Sequence, residues 1–276
     1  MGFRPEFLSL TKLHYGAGMR ELDFAADAEA ARGTINKWVS EQTRGMIRGL
    51  IEPGDISKST RMTLTNAVYF KGLWALPFAK RNTAQDKFWV TPEKTIPMRM
   101  MRREVSTYYF EGDGLKITKL SYAGRSESMV LIVPDARDGL AAVERELTVE
   151  RLHSWLARGG GSYDVDIHLP TFRASNRCEL SDAFGTMGMQ RPFGLNADFS
   201  GMTAPTRLVL QKVIHEAVVE VDEEGTTAAA AIVGAEPVSP PIVNKKLTLR
   251  ADHPFLFLIV NNSTNAIIFG GRFTGH

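Results

Sequence analysis

The chain has 276 residues, of which 43% are hydrophobic and 23% are charged, and its formal net charge is +2. This balance is typical of a globular protein of one or two domains. No basic block exceeds Lys245-Lys246, which argues against nucleic acid as the main partner, since that would need a clustered basic face. No apolar run approaches the roughly 18 residues that span a bilayer, so a membrane helix is also excluded.

The first third of the chain predicts two helices and two strands. Residues 5–15 carry apolar side chains at helical spacing, and residues 20–24 alternate as a strand does. Asp27 is the predicted cap of a helix over residues 28–43. Residues 62–70 form a long β-prone run.

The rest of the chain predicts mainly strands with a few helices between them. The plainest strands cover residues 108–110, 128–133, 164–169, 213–221, 256–260 and 266–269. Helical patterns cover residues 140–156, divided near Thr148, and residues 180–187. Helices and strands do not alternate as in a βαβ wind, and no linker divides the chain. We therefore predict an α+β fold with mainly antiparallel or mixed sheets, in a single domain of residues 1–276.

Motifs of catalysis and metal binding are incomplete. His215 begins a His-Glu-x-x-His pattern, but Val219 stands in place of the second His, so two imidazoles do not share a helical face. Residues 213–221 alternate instead as a strand with one face towards a core. Cys178 is the one cysteine, and its surroundings predict a loop or a helix start and a structural role. The sequence predicts no enzyme, no metal and no cofactor.

Residues 223–234, EEGTTAAAAIVG, are unusually small and weakly amphipathic. The simplest interpretation is a surface helix, because alanine favours helices. An alternative is a strand that enters a crowded slot in a sheet. Period-two geometry then places Thr226, Ala228, Ala230 and Ile232 on the inward face, and Gly225 supplies a hinge.

This segment resembles the hinge of inhibitory serpins. The matching residues are Glu223, Glu224, Gly225, Thr226, Thr227, Ala228, Ala229, Ala230 and Ala231. Other stretches agree in the same order along the chain. They are NAVYFKGLW at 66–74, INKWV at 35–39 with QTRG at 42–45, Leu169-Pro170, DHPFLF at 252–257 and FGGRF at 269–273.

The resemblance implies a serpin fold, which is a multi-stranded central β-sheet with helices and an exposed reactive-centre loop, here at about residues 223–243. It implies a suicide substrate that forms a covalent acyl complex with a serine protease, inserts its cleaved loop into the sheet and acts as a monomer. Asn66 and His215 are expected to hydrogen-bond at the shutter, and Trp74 to lie at the breach. Glu223 is expected to pair with a cation. Because Thr171 stands where the family often has Lys, we assign this cation to Arg173.

Two scissile bonds remain open. The usual family register gives Ser239–Pro240, but most serine proteases reject a proline after the cleaved bond. A loop shorter by one residue gives Val238–Ser239, which we prefer. A small aliphatic residue at this position suits elastase-like or subtilisin-like proteases with shallow pockets.

The resemblance begins partway through the family's fold, and we expect the first helices to be missing and an apolar face to be exposed. Residues 1–20 show no signal peptide, and an extracellular or periplasmic location is slightly favoured. Two alternatives to an inhibitor stay open, a non-inhibitory relative such as a carrier and a serpin fragment without activity.

Overall fold

A computed structural model of the chain describes residues 3–15, 20–158, 162–203, 208–224 and 247–275. They fall into two compact units, one of Met1–Phe70 with Ser175–Val218 and one of Lys71–Ala174 with Val219–His276. No helix in the described ranges is both long and apolar enough to cross a bilayer.

Five helices and eleven strands are numbered here in chain order. The helices are α1 (Pro5–Tyr15), α2 (Ala28–Gln42), α3 (Leu140–Glu146), α4 (Val149–Arg158) and α5 (Ser181–Thr186). The strands are β1 (Thr63–Phe70), β2 (Ala84–Trp89), β3 (Thr95–Gly112), β4 (Leu115–Ser121), β5 (Glu127–Pro134), β6 (Ser162–Pro170), β7 (Phe172–Glu179), β8 (Lys212–Val221), β9 (Leu247–Arg250), β10 (Phe255–Asn261) and β11 (Ile267–Phe273).

The first unit contains α2 and most of a three-stranded sheet in the order β1-β8-β7. Asp27 caps α2, because its carboxylate accepts a hydrogen bond from the Ala30 backbone N–H at 2.9 Å. One face of α2 packs its apolar side chains, including Val39, against Ile214 and Val218 of β8. This contact removes apolar surface from water and holds the helix on the sheet.

The second unit contains a sheet in the order β11-β10-β5-β4-β3-β6-β9, with β2 paired to β3. Its described pairs are antiparallel, except that β9 runs parallel to β6. The 18-residue strand β3 pairs with β6 along much of its length and with β4 at its end. Helices α3 and α4 cover β4, β5 and β10, and Trp155 is the largest side chain of that core.

Most of the predicted elements are confirmed, including the α+β class, the capped helix α2 and the division of residues 140–156 near Thr148. The predicted strand at residues 20–24 is wrong. There the Asp23 carboxylate accepts a hydrogen bond from the Ala26 backbone N–H at 3.0 Å and turns the chain towards α2.

One further local prediction is wrong, and another is incomplete. Cys178 lies in β7 and not in a loop or a helix start, because pairing in the sheet extends a segment of weak local preference. In β8 the odd-numbered residues do not form the only buried face. Ile214 and Val218 are buried on the opposite face against α2, so the strand is covered on both sides.

Asn36 gives a first testable expectation. Its side chain donates to the Ile51 carbonyl at 2.9 Å and accepts from the Ile51 N–H at 2.8 Å, and all these groups are buried. Asn36→Ala leaves both backbone groups without this partner, so we expect a loss of about 2–4 kcal/mol in the free energy of unfolding. Urea unfolding followed by circular dichroism measures it. The exposed neighbour Lys37→Ala is the control, and equal stabilities of the two variants would contradict this account.

Candidate functional site

The acidic run Asp222-Glu223-Glu224 directly follows β8 and ends at the last described residue before position 225. The chain that follows β1, residues 71–80, packs against this run. We call Asp222, Glu223 and Glu224, together with Lys71, Trp74, Phe78, Lys80 and Arg99, the hinge anchor. All eight residues belong to the second unit.

Three hydrogen bonds fix the backbone of the acidic run. The Trp74 indole N–H donates to the Asp222 carbonyl at 2.8 Å, and the Phe78 backbone N–H donates to the Glu223 carbonyl at 2.9 Å. The Trp74 backbone N–H also reaches the Glu224 carbonyl, at 3.4 Å. Trp74 is 3% exposed and stacks on Tyr122 with ring centroids 4.7 Å apart. A buried aromatic ring therefore positions the end of β8 up to its last described residue.

Two lysines add charge contacts to the anchor. The Lys71 Nζ lies 2.7 Å from carboxylate oxygens of both Glu220 and Asp222. Burial opposes the charged form of Lys71, but hydrogen bonds to the two carboxylates outweigh burial and raise its pKa above the usual value. Lys80 pairs with Glu224 at the surface. The acidic run is therefore matched by cations on the chain after β1.

Glu223 is the buried member of the run, at 6% exposed, and Arg99 of β3 donates to its carboxylate at 2.6 Å. Burial raises the pKa of Glu223, but the hydrogen bond from its own backbone N–H and the charge of Arg99 outweigh burial, and the pKa is below its ordinary value. The structure thus provides a cation for Glu223, although the sequence pointed to Arg173. The Thr171 backbone N–H donates to the Arg99 carbonyl at 2.9 Å, so β3 brings Arg99 beside the position where Thr171 replaces the expected Lys.

Arg103 is a functional candidate that the sequence did not indicate. Its guanidinium lies over the Phe78 ring, 4.5 Å from the centroid. Burial lowers the pKa of Arg103 to about 10, and within the described residues neither its Nε nor its Nη1 has a hydrogen-bond partner. Unsatisfied donors of a partly buried cation are costly, and the aromatic face offsets part of this cost. This cation thus lies against Phe78, the residue whose backbone N–H binds the Glu223 carbonyl.

The two predicted shutter residues meet in the first unit. The His215 Nδ1 lies 2.8 Å from the Asn66 Oδ1, which joins β8 to β1 through side chains. Since an amide oxygen only accepts, His215 carries a proton on Nδ1 in this pair. Asn66 is exposed and His215 is half-buried. The pair spans the two strands that an inserted strand would separate, and its regulatory role stays a prediction.

The remaining predicted site residues lie outside the described residues. They are Gly225, Thr226, Thr227, Ala228, Ala229, Ala230, Ala231, Val238 and Ser239.

The sequence matches the family model Serpin (serine protease inhibitor) over residues 1–275. The chain belongs to the serpin family. It is 40% identical to Serpin B3 from Homo sapiens over 277 residues, which cover 99% of this chain and 70% of that relative. It is 39% identical to the leukocyte elastase inhibitor from Xenopus laevis, covering 99% of this chain and 73% of that protein.

Solved serpin structures match the fold of the chain. Uncleaved ovalbumin superimposes with a TM-score of 0.87 and 29% identity, covering all of this chain and 70% of that one. Thyroxine-binding globulin in complex with thyroxine gives a TM-score of 0.85 and 28% identity, covering 99% of this chain and 72% of that one. The predicted serpin fold is therefore confirmed.

The buried carboxylate of the anchor gives a second expectation. Because its folded pKa is lowered, Glu223 stabilises the serpin above its ordinary pKa of 4.5, and this contribution is lost as pH falls through the folded value. We expect Glu223→Gln to cost about 1 kcal/mol at pH 7, a figure reduced because Arg99 is largely exposed. The difference from the unmodified protein should shrink below pH 4.5.

Chemical denaturation at several pH values measures this difference. Glu224→Gln is the matched control, because its partner Lys80 is mostly exposed and the pair contributes little. A pH-independent loss in Glu223→Gln would contradict the role of the ionised carboxylate.

Proposed function

We propose that this serpin inhibits serine-type endopeptidases as a suicide substrate, with a reactive-centre loop at about residues 223–243 of a single domain, residues 1–276. The protease attacks the carbonyl carbon of Val238, the bond to Ser239 breaks, and the new amine leaves with a proton. The Val238 carbonyl is then held as an ester on the protease serine. The severed loop enters the sheet between β1 and β8, and the distorted protease fails to release the ester.

One observation carries this proposal. Strand β1 is the direct neighbour of β8, and the small-residue run from Gly225 continues the chain at the end of β8. A strand that folds back from this point lies beside β8 and takes the place of β1 as its neighbour. The Thr63 hydroxyl donates to the Lys212 carbonyl at 3.3 Å, and such links must open on insertion.

The energy of insertion is large enough for this mechanism. A strand of about 14 residues gains on the order of ten backbone hydrogen bonds, each worth roughly 1 kcal/mol net. The total is on the order of 10 kcal/mol, which equals the whole stability of a typical domain. Alanines and threonines at alternate positions bring little bulk into the sheet, so steric cost does not cancel this gain.

The target that fits best is an elastase-like or subtilisin-like protease. Val238 is a small aliphatic residue, and residues 225–241 contain neither Lys nor Arg. Relatives at 37–39% identity include leukocyte elastase inhibitors from Xenopus laevis and Homo sapiens, which agrees with this target class. We prefer Val238–Ser239 over Ser239–Pro240 because a proline after the scissile bond hinders cleavage. The proposed inhibitor acts as a monomer and forms a covalent complex with its protease.

A carrier function is the second candidate. Its basis is the structural match to thyroxine-binding globulin in complex with thyroxine. The small-residue hinge favours inhibition, because a loop that never inserts has no need for small inward residues. The two candidates differ in the fate of the cleaved loop. Insertion raises the melting temperature of an inhibitor, whereas a carrier with an uninserted loop melts unchanged.

The hinge gives the third expectation. Thr226 would face the sheet interior on insertion and Thr227 would face outward, so Thr226→Arg must bury a long cation and Thr227→Arg need not. We expect Thr226→Arg to abolish the SDS-stable complex with pancreatic elastase and to leave a cleaved substrate. Thr227→Arg is the matched control and should keep at least half of the complex. Full inhibition by Thr226→Arg would refute loop insertion.

The scissile bond gives the fourth expectation. Elastase should release a C-terminal fragment whose mass corresponds to a start at Ser239. Val238→Arg should move the covalent complex from elastase to trypsin, because trypsin requires a basic residue before the cleaved bond. Val238→Ala is the control and should keep the elastase complex. A fragment starting at Pro240 would instead assign the neighbouring bond.

A further inference from the structure

Strand β9 anchors the chain where it re-enters the described structure after residue 246. Its described part, Leu247–Arg250, runs parallel to β6. The Ala251 N–H donates to the His168 carbonyl at 2.9 Å, and Leu249 is fully buried. Side-chain contacts add to this backbone pairing.

Arg250 supplies the main polar contacts of β9. Its Nη2 donates to Asp86 of β2 at 2.8 Å, and its Nε donates to Asp252 at 3.1 Å. Its Nη1 lies 3.1 Å from the Nδ1 of His168 on β6. A guanidinium has donors and no acceptor, so this last contact requires an unprotonated Nδ1. Arg250 therefore joins β9 to β2 and β6, and one of its three contacts depends on the protonation of His168.

The other side of the imidazole fixes the same protonation state. The His168 Nε2 lies 3.4 Å from the Oδ2 of Asp166, so Nε2 carries the proton of the neutral ring. Asp166 is buried and is held by Arg102 of β3, at 2.9 Å from Nε and 2.7 Å from Nη2. A second proton on His168 would occupy Nδ1 and face the Arg250 guanidinium.

We propose that His168 and Arg250 form a pH-sensitive latch that holds β9 in the sheet at neutral pH and releases it in mild acid. Neutral His168 accepts the Arg250 hydrogen bond. Protonated His168 loses that acceptor and places a second positive charge about 3 Å from the first. The repulsion falls on β9, because β6 is held by its long pairing with β3.

The charges around the latch determine the direction of the effect. They are Asp166 and His168 on β6, Arg102 on β3, Asp86 on β2, Arg250 on β9, and Asp252 and His253 after it. The pKa values of Asp86, Asp166 and Asp252 are lowered, so these carboxylates stay ionised in mild acid. Both ring nitrogens of His253 face acceptors, Nδ1 the Asp252 carboxylate at 2.9 Å and Nε2 the Pro134 carbonyl at 2.7 Å, so neither of them faces the Arg250 guanidinium.

Burial and the Arg250 charge lower the pKa of His168 below 6.5 and outweigh the opposing effect of Asp166. Above pH 6.5 the imidazole is mostly neutral whether β9 is attached or released, so the attachment of β9 changes little with pH there. The released strand binds the proton more readily than the attached strand as pH falls below 6.5, so attachment weakens in that window.

Hydrogen exchange of the uncleaved protein, without protease, tests the latch. An imidazole of ordinary pKa in the open state and lowered pKa in the closed state should increase strand opening between pH 7.5 and pH 5.5, by at most about tenfold. We expect the protection factors of β9 amides and Ala251, corrected for intrinsic exchange, to fall by the same factor. His168→Gln keeps an acceptor for Arg250 and does not titrate, so its protection factors should stay level.

His153→Gln is the matched control, because His153 is exposed on α4 and its replacement should leave the fall in the protection factors intact. An equal fall in His168→Gln, or none in the unmodified protein, would overturn the latch. If His168→Gln does not fold, an NMR titration of His168 in the unmodified protein decides, and a pKa at or above 6.5 would overturn it. If these results overturn the latch but the protein still forms SDS-stable complexes with elastase, the proposed inhibitory function stands.

Discussion

Direct pairing of β1 with β8 is the constraint on which the proposed mechanism depends. It closes the position that the severed loop would occupy, so inhibition requires these strands to separate before any new hydrogen bond forms. The side-chain contact between Asn66 and His215 and the Thr63 bond to Lys212 both span this pairing. They are few and partly exposed, so the backbone ladder itself carries most of the resistance to opening.

The chain around residues 225–246 is held at two places of different chemistry. At its start, a buried tryptophan and the Glu223–Arg99 pair fix the end of β8. At its end, the described part of β9 pairs with β6, and Arg250 binds Asp86 of β2. The first anchor uses groups that keep their charge near neutrality, whereas the second includes an imidazole whose charge changes in mild acid. The two ends are therefore expected to respond differently to the same change in pH.

Local sequence patterns were enough to predict most helices and strands, whereas the contacts of the candidate site depend on which strands pair and in what register. The periodicity of residues 28–43 and the division at Thr148 required only neighbouring residues, and both are confirmed. Arg99, Arg103 and Arg250 showed no such signal, because each acquires its partner from a strand distant in sequence. The predictions for residues 20–24 and for Cys178 failed for a related reason. A side-chain hydrogen bond turned the chain at residues 20–24, and sheet pairing drew Cys178 into a strand, so both overrode a weak local preference.

A comparison of the ion-pair energies with the energy of loop insertion indicates what keeps the proposed inhibitor in its closed form, in which β1 still pairs with β8. Surface ion pairs such as Lys80–Glu224 contribute little to stability, far less than the roughly 10 kcal/mol available from the proposed insertion. The half-buried Arg103, with two donor atoms that lack partners among the described residues, further raises the energy of the closed form. In the proposed mechanism, the anchor therefore does not make the closed form the more stable one. The closed form would persist because β1 must leave β8 before insertion returns any energy, so its lifetime would be a matter of rate.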